Sequence, residues 1–554
     1  MDQAYKKLVE QNKSIYKQES SKTDRRNNNI DDLYKFNQYS HSFFIERSEF
    51  SRDKDRILFS RAFRRLEDKA QIFSHERGDH YRTRLTHTLE VLQIARNICR
   101  YLGFNEDLVE AITLGHDIGH TPFGHEGERV LDQVLCGKAD FKEIRYQINY
   151  SGFKHNYNSL KVLDLIEIKY ENEKGLNLTW QVLEGILKHT KTRRNGVHWC
   201  DIDRFMLNDG INILFNKKLR DMLIYENSVT LEGQIVAIAD EIAQRQHDLD
   251  DGMRDEKSGL NYKYVLHEIN EYIDYTLANH KDSVDKDFID LMEDLKSRIV
   301  ERDTKRSEMY KKDTMIRDII EYFICDVTLS SFKNIDRDGK KTIIPGEDRI
   351  FSNKLIDFSV LGTEFDKKLS RYIKNHIVNS NGVNKFDGKA NYVIKQLFKA
   401  YYSNPRQMSD FSLQRLLLLI KANSKIYSIK LNNFKDETGA NLGINNINFS
   451  VSSPDEVDQL IKYLKMELNL KDLCHPFGSS DNGYLEENGK FKLGELNTVN
   501  LLVLDKVMEL NDDKIRFIKC MLEDHYAYLS TICDYISGMT DNYANREYSQ
   551  LYQT

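Results

Sequence analysis

One segment of the sequence concentrates residues that can bind metals and transfer protons. The fourteen residues GHDIGHTPFGHEGE, 115 to 128, contain three histidines, three acids, four glycines and one of the five prolines of the chain. Glycine and proline weaken helices, so local helical stability does not account for this composition. Imidazoles and carboxylates can hold a divalent metal, and we therefore take this segment as the first candidate for a functional site.

Four residues can form a metal site with nitrogen and oxygen ligands. They are His87, the adjacent pair His116 and Asp117, and Asp240. This set suits Mn²⁺ or Mg²⁺, with Fe, Co and Zn also compatible, and it leaves room for water. Each position lies on a different predicted helix or helix end, which is how helical bundles assemble metal sites. A single histidine at a helix end is more often structural, and adjacent His-Asp pairs also occur by chance.

Further imidazoles strengthen the metal-site interpretation. His120 and His125 follow within nine residues of His116. Glu128 stands three residues after His125, a spacing at which its carboxylate can orient that imidazole on a helix.

The elements around these residues have helical periodicity. A helix is predicted to end at Gly103, with one apolar stripe at Leu85, Leu89, Leu92, Ala95, Cys99 and Leu102 and a second at His87, Val91, Ile94, Ile98 and Tyr101. The next helix is predicted to begin at Asn105 and to close near Asp117. Further helices are predicted at about 158–171, 179–190 and 229–250, and in the last of these Asp240, Gln244 and Asp248 lie on one line.

These elements predict an all-α protein. We expect a polar arm at 1–42, a catalytic core at 43–254, a helical region at 255–460 with a small inserted α+β element near 425–453, and a C-terminal helical region at 461–554 that completes the core.

The composition favours a cytoplasmic globular protein. The chain has 554 residues, 40% of them hydrophobic, and its 30% of charged residues nearly balance at a net charge of -6, so no overall field recruits nucleic acid or an anionic membrane. The seven cysteines show no CxxC spacing, which is typical of reduced thiols. The sequence contains no apolar run of the ~20 residues that a membrane-spanning helix needs.

The order of these motifs resembles the H...HD...D pattern of HD-domain metal phosphohydrolases. The flanking segments at 51–73, 82–91, 115–128, 238–252 and 533–544 are together similar to the deoxyguanosinetriphosphate triphosphohydrolase (dGTPase) family. The resemblance implies an HD-domain helical core. It also implies hydrolysis of a deoxynucleoside triphosphate to the deoxynucleoside and inorganic tripolyphosphate, with a metal-activated water attacking the α-phosphorus.

The resemblance also implies roles for individual residues. His87, His116, Asp117 and Asp240 would be the metal ligands, His125 with Glu128 the general acid or base, and His120 a second imidazole near the phosphates. Six positions would bind substrate: Gln71, Arg84, His155, Lys188, Gln244 and Asp248. Arg84 matches the family's phosphate-binding arginine. Gln71 matches a glutamine that contacts the sugar 3'-hydroxyl or the base edge, and Asp248 matches an aspartate at the same hydroxyl. Lys188 matches a lysine for the triphosphate and His155 a histidine of the pocket, and each can equally be structural.

Two positions depart from the family pattern, and other functions remain open. Gln244 replaces a tyrosine that lies beneath the deoxyribose in many relatives, and Glu241 stands where relatives often have a basic residue. The alternatives are an HD hydrolase acting on another nucleotide phosphoester, or a catalytically dead regulator that binds nucleotide or single-stranded DNA. Relatives form rings or dimers of dimers, so the resemblance implies a homo-oligomer, a tetramer or hexamer, with an allosteric dNTP, GTP or single-stranded DNA site.

Overall fold

The computed structural model describes residues 48–71, 82–139, 152–170, 175–194, 197–198, 217–254, 260–280, 283–304, 307–344, 350–409, 411–413, 416 and 526–552. The described chain is almost entirely helical, which confirms the predicted all-α fold. The predicted polar arm and the small α+β element near 425–453 lie outside the described residues.

The first half of the chain supplies nine of the described helices. They are α1 (Glu49–Leu58), α2 (Arg61–Arg64), α3 (Arg84–Leu102), α4 (Glu106–Gly115), α5 (Gly124–Leu135), α6 (His155–Lys161), α7 (Trp180–Lys188), α8 (Lys217–Met222) and α9 (Leu231–Arg254). A 3₁₀ turn at Arg65–Asp68 follows α2, and a π-helical turn at Val162–Ile166 extends α6. Two short strands, β1 (Arg193–Arg194) and β2 (Val197–His198), pair antiparallel.

The second half is also helical where the structure describes it. It contains α10 (Tyr262–His280), α11 (Lys286–Asp303), α12 (Glu308–Thr342), α13 (Val360–Ile373), α14 (Asn381–Ser403), α15 (Tyr526–Ser537) and α16 (Asp541–Tyr552). A π-helical turn at Lys374–Val378 follows α13, and a 3₁₀ turn at Pro405–Gln407 follows α14.

Helices α3, α4 and α9 pack against one another and form the frame of the site. The predicted end of α3 and the predicted start of α4 are confirmed, and α4 ends at Gly115, two residues before Asp117. Gly103 ends α3 in the left-handed region with φ 77°, and the Asn105 side chain caps α4 by accepting a hydrogen bond from the backbone N–H of Leu108.

The burial of α3 differs from the prediction in detail. Leu89 and Tyr101, each assigned to a buried stripe, are 49% and 50% exposed. The buried face instead follows the stripe that contains His87, together with Thr88, Ala95 and Cys99. The helix has more apolar positions than one buried face needs, so spacing alone did not identify the face.

The segment after α4 turns tightly against α6. A Cβ atom on Gly119 would lie 2.2 Å from the backbone nitrogen of Ser159 and 2.3 Å from the carbonyl oxygen of His155. Gly124 has φ 61°, a left-handed conformation that favours glycine, where α5 begins. Gly119 therefore lets the loop approach α6, and Gly124 lets it pass close to Gln71 and Arg84.

The C-terminal helices hold this loop in place. The carboxylate of Asp541 accepts hydrogen bonds from the backbone N–H groups of Phe123 at 2.9 Å and Ala70 at 3.1 Å. The buried ammonium of Lys69 donates to the carbonyls of His120 and Ser537. Residues from the two ends of the chain therefore meet beside the segment at 115–128.

Candidate metal and phosphate site

The four predicted metal ligands converge in the structure. Nε2 of His87 lies 3.0 Å from Oδ1 of Asp240 and 3.8 Å from Oδ2 of Asp117. Nε2 of His116 lies 3.5 Å from Oδ1 of Asp117 and 3.8 Å from Oδ1 of Asp240. Two ligand atoms bound at right angles to a metal at about 2.1 Å would lie about 3.0 Å apart, so this spacing is close to that of a coordination shell.

His116 has the clearest character of a metal ligand. Its Nδ1 donates a hydrogen bond to the carbonyl of Thr113 at 2.6 Å, which leaves the lone pair on Nε2. This Nε2 is buried and has no hydrogen-bond partner within the described part of the chain. A buried imidazole nitrogen facing two carboxylates fits a cation between them, because an unsatisfied buried polar atom is otherwise costly.

The charged groups of the ligand set shift one another's pKa values. Burial would lower the pKa of His87, but Asp240 and Asp117 raise it above its ordinary value. Burial would raise the pKa of Asp117, but His120, His116 and Arg84 hold it well below its usual range. Asp117 is therefore an ionised carboxylate and can serve as a ligand.

Arg84 provides a buried cation next to the predicted metal ligands. Its side chain is 2% exposed, and Nη1 donates to Oδ2 of Asp117 at 2.9 Å. The Nε and Nη2 atoms are buried and lack hydrogen-bond partners among the residues described. A guanidinium with free donors beside a metal-ligand set is suited to binding phosphate oxygens.

His87, His116 and Asp240 offer ligand atoms that all lie within 4.8 Å of one another, and Asp117 belongs to a second such group. Asp117, His120 and His155 offer nitrogen and oxygen atoms that all lie within 4.8 Å of one another. Nδ1 of His120 lies 3.0 Å from Oδ1 of Asp117, and its ring stacks on that of His155 with centroids 3.8 Å apart. Burial and the nearby Arg84 hold the pKa of His120 well below its ordinary value, so this imidazole is neutral at pH 7.

Glu128 contacts His155 instead of His125, and the predicted His125–Glu128 pairing is wrong. Oε2 of Glu128 accepts hydrogen bonds from Nδ1 of His155 at 2.5 Å and from its backbone N–H at 2.9 Å, while Lys154 donates to Oε1. Burial would raise the pKa of Glu128, but His155 and Lys154 lower it well below the usual range. The prediction used only the i+3 spacing within α5. In the structure the first residue of α6, His155, packs against the Glu128 carboxylate and takes its hydrogen bonds.

His125 lies at the accessible side of this histidine group. Its side chain is exposed to solvent, whereas those of His120 and His155 are buried. Its ring centroid is 5.8 Å from that of His120 and 6.4 Å from that of His155. Desolvation, followed by the charge of Arg84, lowers the pKa of His125 to about 4, against the opposing effect of Glu128.

Gln71 and Asp248 both present polar atoms without partners. Oε1 of Gln71 and Oδ1 of Asp248 are buried and accept no hydrogen bond from the described residues. Burial, with a contribution from Asp251, raises the pKa of Asp248 to about 7 although Arg245 opposes it. Gln244 is half-buried on α9, one turn after Asp240. Buried oxygens without partners and a raised carboxyl pKa are typical of groups that bind a polar ligand.

Lys188 is not available for a phosphate. Its ammonium pairs with Glu184 at 2.8 Å and donates to the carbonyls of Met222 at 2.8 Å and Asn227 at 3.1 Å, which uses its three donors. Its predicted role as a triphosphate ligand is therefore replaced by a structural one that joins α7 to α8. Glu241, one of the two positions that depart from the family pattern, is exposed.

Two histidines of the site were missed by the sequence analysis. Nε2 of His189 lies 3.3 Å from Nε2 of His155, and Nδ1 of His189 donates to the carbonyl of Ile186. Nδ1 of His247 lies 3.0 Å from Nδ1 of His87. His247 follows Asp240 by seven residues on one helix, and this two-turn spacing was a usable signal.

Comparison with known families agrees with this geometry. The HD-domain family model matches residues 84–244, and the model of the phosphohydrolase-associated domain matches residues 519–550. The first match includes all four predicted metal ligands, and the second includes Asp541 with all of α15 and most of α16. The fold and the site together define an HD-domain hydrolase.

Curated relatives narrow the class. A deoxyguanosinetriphosphate triphosphohydrolase-like protein of Geobacter metallireducens is 36% identical over 369 residues, which cover 66% of this chain and 80% of the relative. Proteins of the same description from Rickettsia canadensis and Geobacter sulfurreducens are 33% and 35% identical and are covered over 87% and 80% of their lengths. The chain belongs to the deoxyguanosinetriphosphate triphosphohydrolase-like family.

Among the residues that the structure describes, none of the helices is both long enough and apolar enough to cross a bilayer.

Proposed function

We propose that the protein hydrolyses deoxynucleoside triphosphates to the deoxynucleoside and inorganic tripolyphosphate. His87, His116, Asp117 and Asp240 would hold a divalent metal, with Mn²⁺ or Mg²⁺ the best match to two imidazoles and two carboxylates. When bound, the metal supplies a water activated for nucleophilic attack and polarises the phosphoryl oxygens.

The buried guanidinium of Arg84 is the observation that carries this proposal. Two of its donor nitrogens, Nε and Nη2, lack partners in the described structure, and Nη1 is fixed by the proposed ligand Asp117 at 2.9 Å. An anion bound to Arg84 would also lie beside Asp117, one of the residues that would hold the metal. The free donors would hold phosphate oxygens, where charge develops during the reaction.

His125 is the proposed proton donor to the leaving 5'-oxygen. Its pKa of about 4 keeps the imidazole neutral in the free protein at pH 7. A bound polyphosphate raises the pKa of a neighbouring imidazole, so His125 would take up its proton together with the substrate. His120 would remain neutral and would contact the phosphates through its buried, unpartnered Nε2. His155, held by Glu128, supports the stacked ring of His120.

Gln71 and Asp248 are proposed to recognise the sugar or the base edge. Their buried oxygens without partners would accept hydrogen bonds from a hydroxyl or amino group. The carboxyl group of Asp248, with its pKa near 7, can also donate when protonated. Gln244 would lie along the substrate between the metal and Asp248, since it is spaced by one helical turn from each.

We propose a cytoplasmic homo-oligomer, a tetramer or hexamer, that is regulated by a dNTP, GTP or single-stranded DNA. The sole support is the membership of the dGTPase-like family.

Product analysis tests the proposed reaction. Purified protein is incubated with each of the four dNTPs and with GTP, singly and mixed, in Mn²⁺ or Mg²⁺, and the products are resolved by ion exchange. The proposal requires a deoxynucleoside and intact tripolyphosphate, with both lost in Asp117→Asn. Release of pyrophosphate or orthophosphate would refute it, and activity confined to mixtures would identify an activator.

A further inference from the structure

We propose that His247 and Glu90 are positioning residues that fix the tautomer of His87 and thereby direct its Nε2 toward the metal. This inference rests on the metal centre of the proposed function. It gives a positioning role to His247 and Glu90, which are not among the proposed metal ligands.

The three side chains form a continuous chain of hydrogen bonds behind the metal ligands. Nδ1 of His87 lies 3.0 Å from Nδ1 of His247, and Nε2 of His247 contacts Oε2 of Glu90. Both imidazoles are 1% exposed. The Nε2 atom of His87, at the opposite edge of its ring, faces Asp240 at 3.0 Å.

Only one arrangement of protons leaves His87 ready to bind a metal. The Glu90 carboxylate can only accept, so Nε2 of His247 must carry the proton that it donates. Nδ1 of the neutral His247 then holds a lone pair and accepts the proton on Nδ1 of His87. The lone pair of His87 is consequently on Nε2. The opposite tautomer would direct an N–H at Asp240 and block coordination.

Charged neighbours fix the position of Glu90, the last residue in this series of hydrogen bonds. Arg82 donates to the Glu90 carboxylate through Nε at 3.2 Å, and its Nη1 pairs with Asp250 at 2.7 Å and Asp251 at 2.8 Å. Asp250, Asp251 and His247 all lie on α9, which also supplies Asp240. Glu90 lies three residues after His87 on α3. The hydrogen-bond series therefore links α3, which carries His87, to α9, which carries Asp240.

Metal binding by the full-length chain tests this inference directly. Mn²⁺ affinity is measured by calorimetry on metal-free protein, and Co²⁺ is used as a spectroscopic probe of the ligand field. His247→Leu removes the acceptor and is expected to weaken Mn²⁺ binding by about 10–100-fold and to shift the Co²⁺ absorption bands. His247→Asn keeps an oxygen acceptor near the position of Nδ1 and is expected to restore affinity close to that of the wild type. Glu90→Ala should weaken binding in the same direction as His247→Leu.

Two further variants distinguish a loss of positioning from a general loss of stability and from the absence of a metal centre. Leu249→Ala removes a side chain that is 1% exposed on the same helix, and it should lower the melting temperature without changing Mn²⁺ affinity. Asp240→Ala should abolish binding at the centre. Equal weakening in His247→Leu and His247→Asn, or wild-type affinity in His247→Leu, would overturn the positioning role while the metal centre stands. Wild-type affinity in Asp240→Ala would overturn the metal centre itself.

Discussion

The carboxylate of Glu128 holds the imidazole of His155, with Oε2 2.5 Å from Nδ1 and 2.9 Å from the backbone nitrogen of the same residue. His155 in turn stacks on His120, whose Nδ1 faces Asp117 at 3.0 Å. An acidic residue on α5 therefore determines the position of two imidazoles that lie next to a predicted metal ligand.

Removing that carboxylate should impair turnover more than metal binding. In Glu128→Ala, His155 loses its acceptor and the stacked His120 loses its support, so kcat is expected to fall by about 10–100-fold. Steady-state kinetics and metal analysis provide the measurement. Glu126→Gln is the matched control because Glu126 is a buried acid on the same helix that bonds Asn391 and pairs with Arg129. An equal loss in both variants would count against a specific role of Glu128.

Replacement of His125 tests its role in proton transfer. His125→Asn should reduce kcat by about 10²–10⁴-fold, because no other group would protonate the leaving oxygen, while metal content stays that of the wild type. His280→Ala, a change at the end of α10 remote in sequence from the site, serves as a histidine control. Wild-type turnover in His125→Asn would show that another group supplies the proton.

The close approach of the loop at Gly119 predicts a stability effect. The Cβ atom of Gly119→Ala would lie 2.2–2.3 Å from backbone atoms of Ser159 and His155, so we expect a loss of about 1–3 kcal/mol in the free energy of unfolding. Gly388→Ala is the control, since Gly388 is an exposed position in α14 with nothing within 4 Å of the added atom. That change should stabilise the protein by about 0.5–1 kcal/mol. Equal melting temperatures for both variants would contradict the tight packing of the loop.

Asp248 predicts a pH dependence of stability. Its pKa is about 7 in the folded protein and 3.8 for an ordinary aspartate. Between about pH 4 and 7 the unfolded chain has released this proton and the folded chain retains it, so stability falls as the pH rises. The fall amounts to at most about 4 kcal/mol and levels off above pH 7.

Denaturation of metal-free wild type and Asp248→Asn at several pH values measures this contribution. The difference in unfolding free energy between the two proteins should change with pH over that window, because the asparagine does not titrate. Asp251 has its pKa raised to about 6, mainly by burial, and gives a slope that both proteins share. A difference that is constant from pH 4 to 7 would show that Asp248 is not desolvated.

The frame of the site could be predicted from the sequence because local rules govern its helix ends. The glycine after α3 and the asparagine before α4 act within one turn, so local residues indicate where the helix that carries His87 ends and where the helix that precedes His116 and Asp117 begins. Residue types and helical spacing predicted His87, His116, Asp117 and Asp240 as one ligand set, and the structure places these four side chains next to one another.

The errors concern contacts between segments that are distant in the sequence. The pairing of Glu128 with His155 depends on how α6 approaches α5, and the engagement of Lys188 depends on carbonyls at Met222 and Asn227. The contribution of Asp541 to the loop before α5 spans more than 400 positions, with a sequence separation of 418 between Asp541 and Phe123. No local periodicity encodes such contacts, because they result from tertiary packing.

The position of bond cleavage tests the central claim most directly. The protein is incubated with a dNTP in H₂¹⁸O with Mn²⁺, and both products are examined by mass spectrometry. Attack of water on the α-phosphorus with departure of the 5'-oxygen predicts one ¹⁸O atom in intact tripolyphosphate and none in the deoxynucleoside. Label in the deoxynucleoside would place the attack of water at the 5'-carbon and contradict attack at the α-phosphorus. Labelled pyrophosphate or orthophosphate would contradict a dNTP triphosphohydrolase.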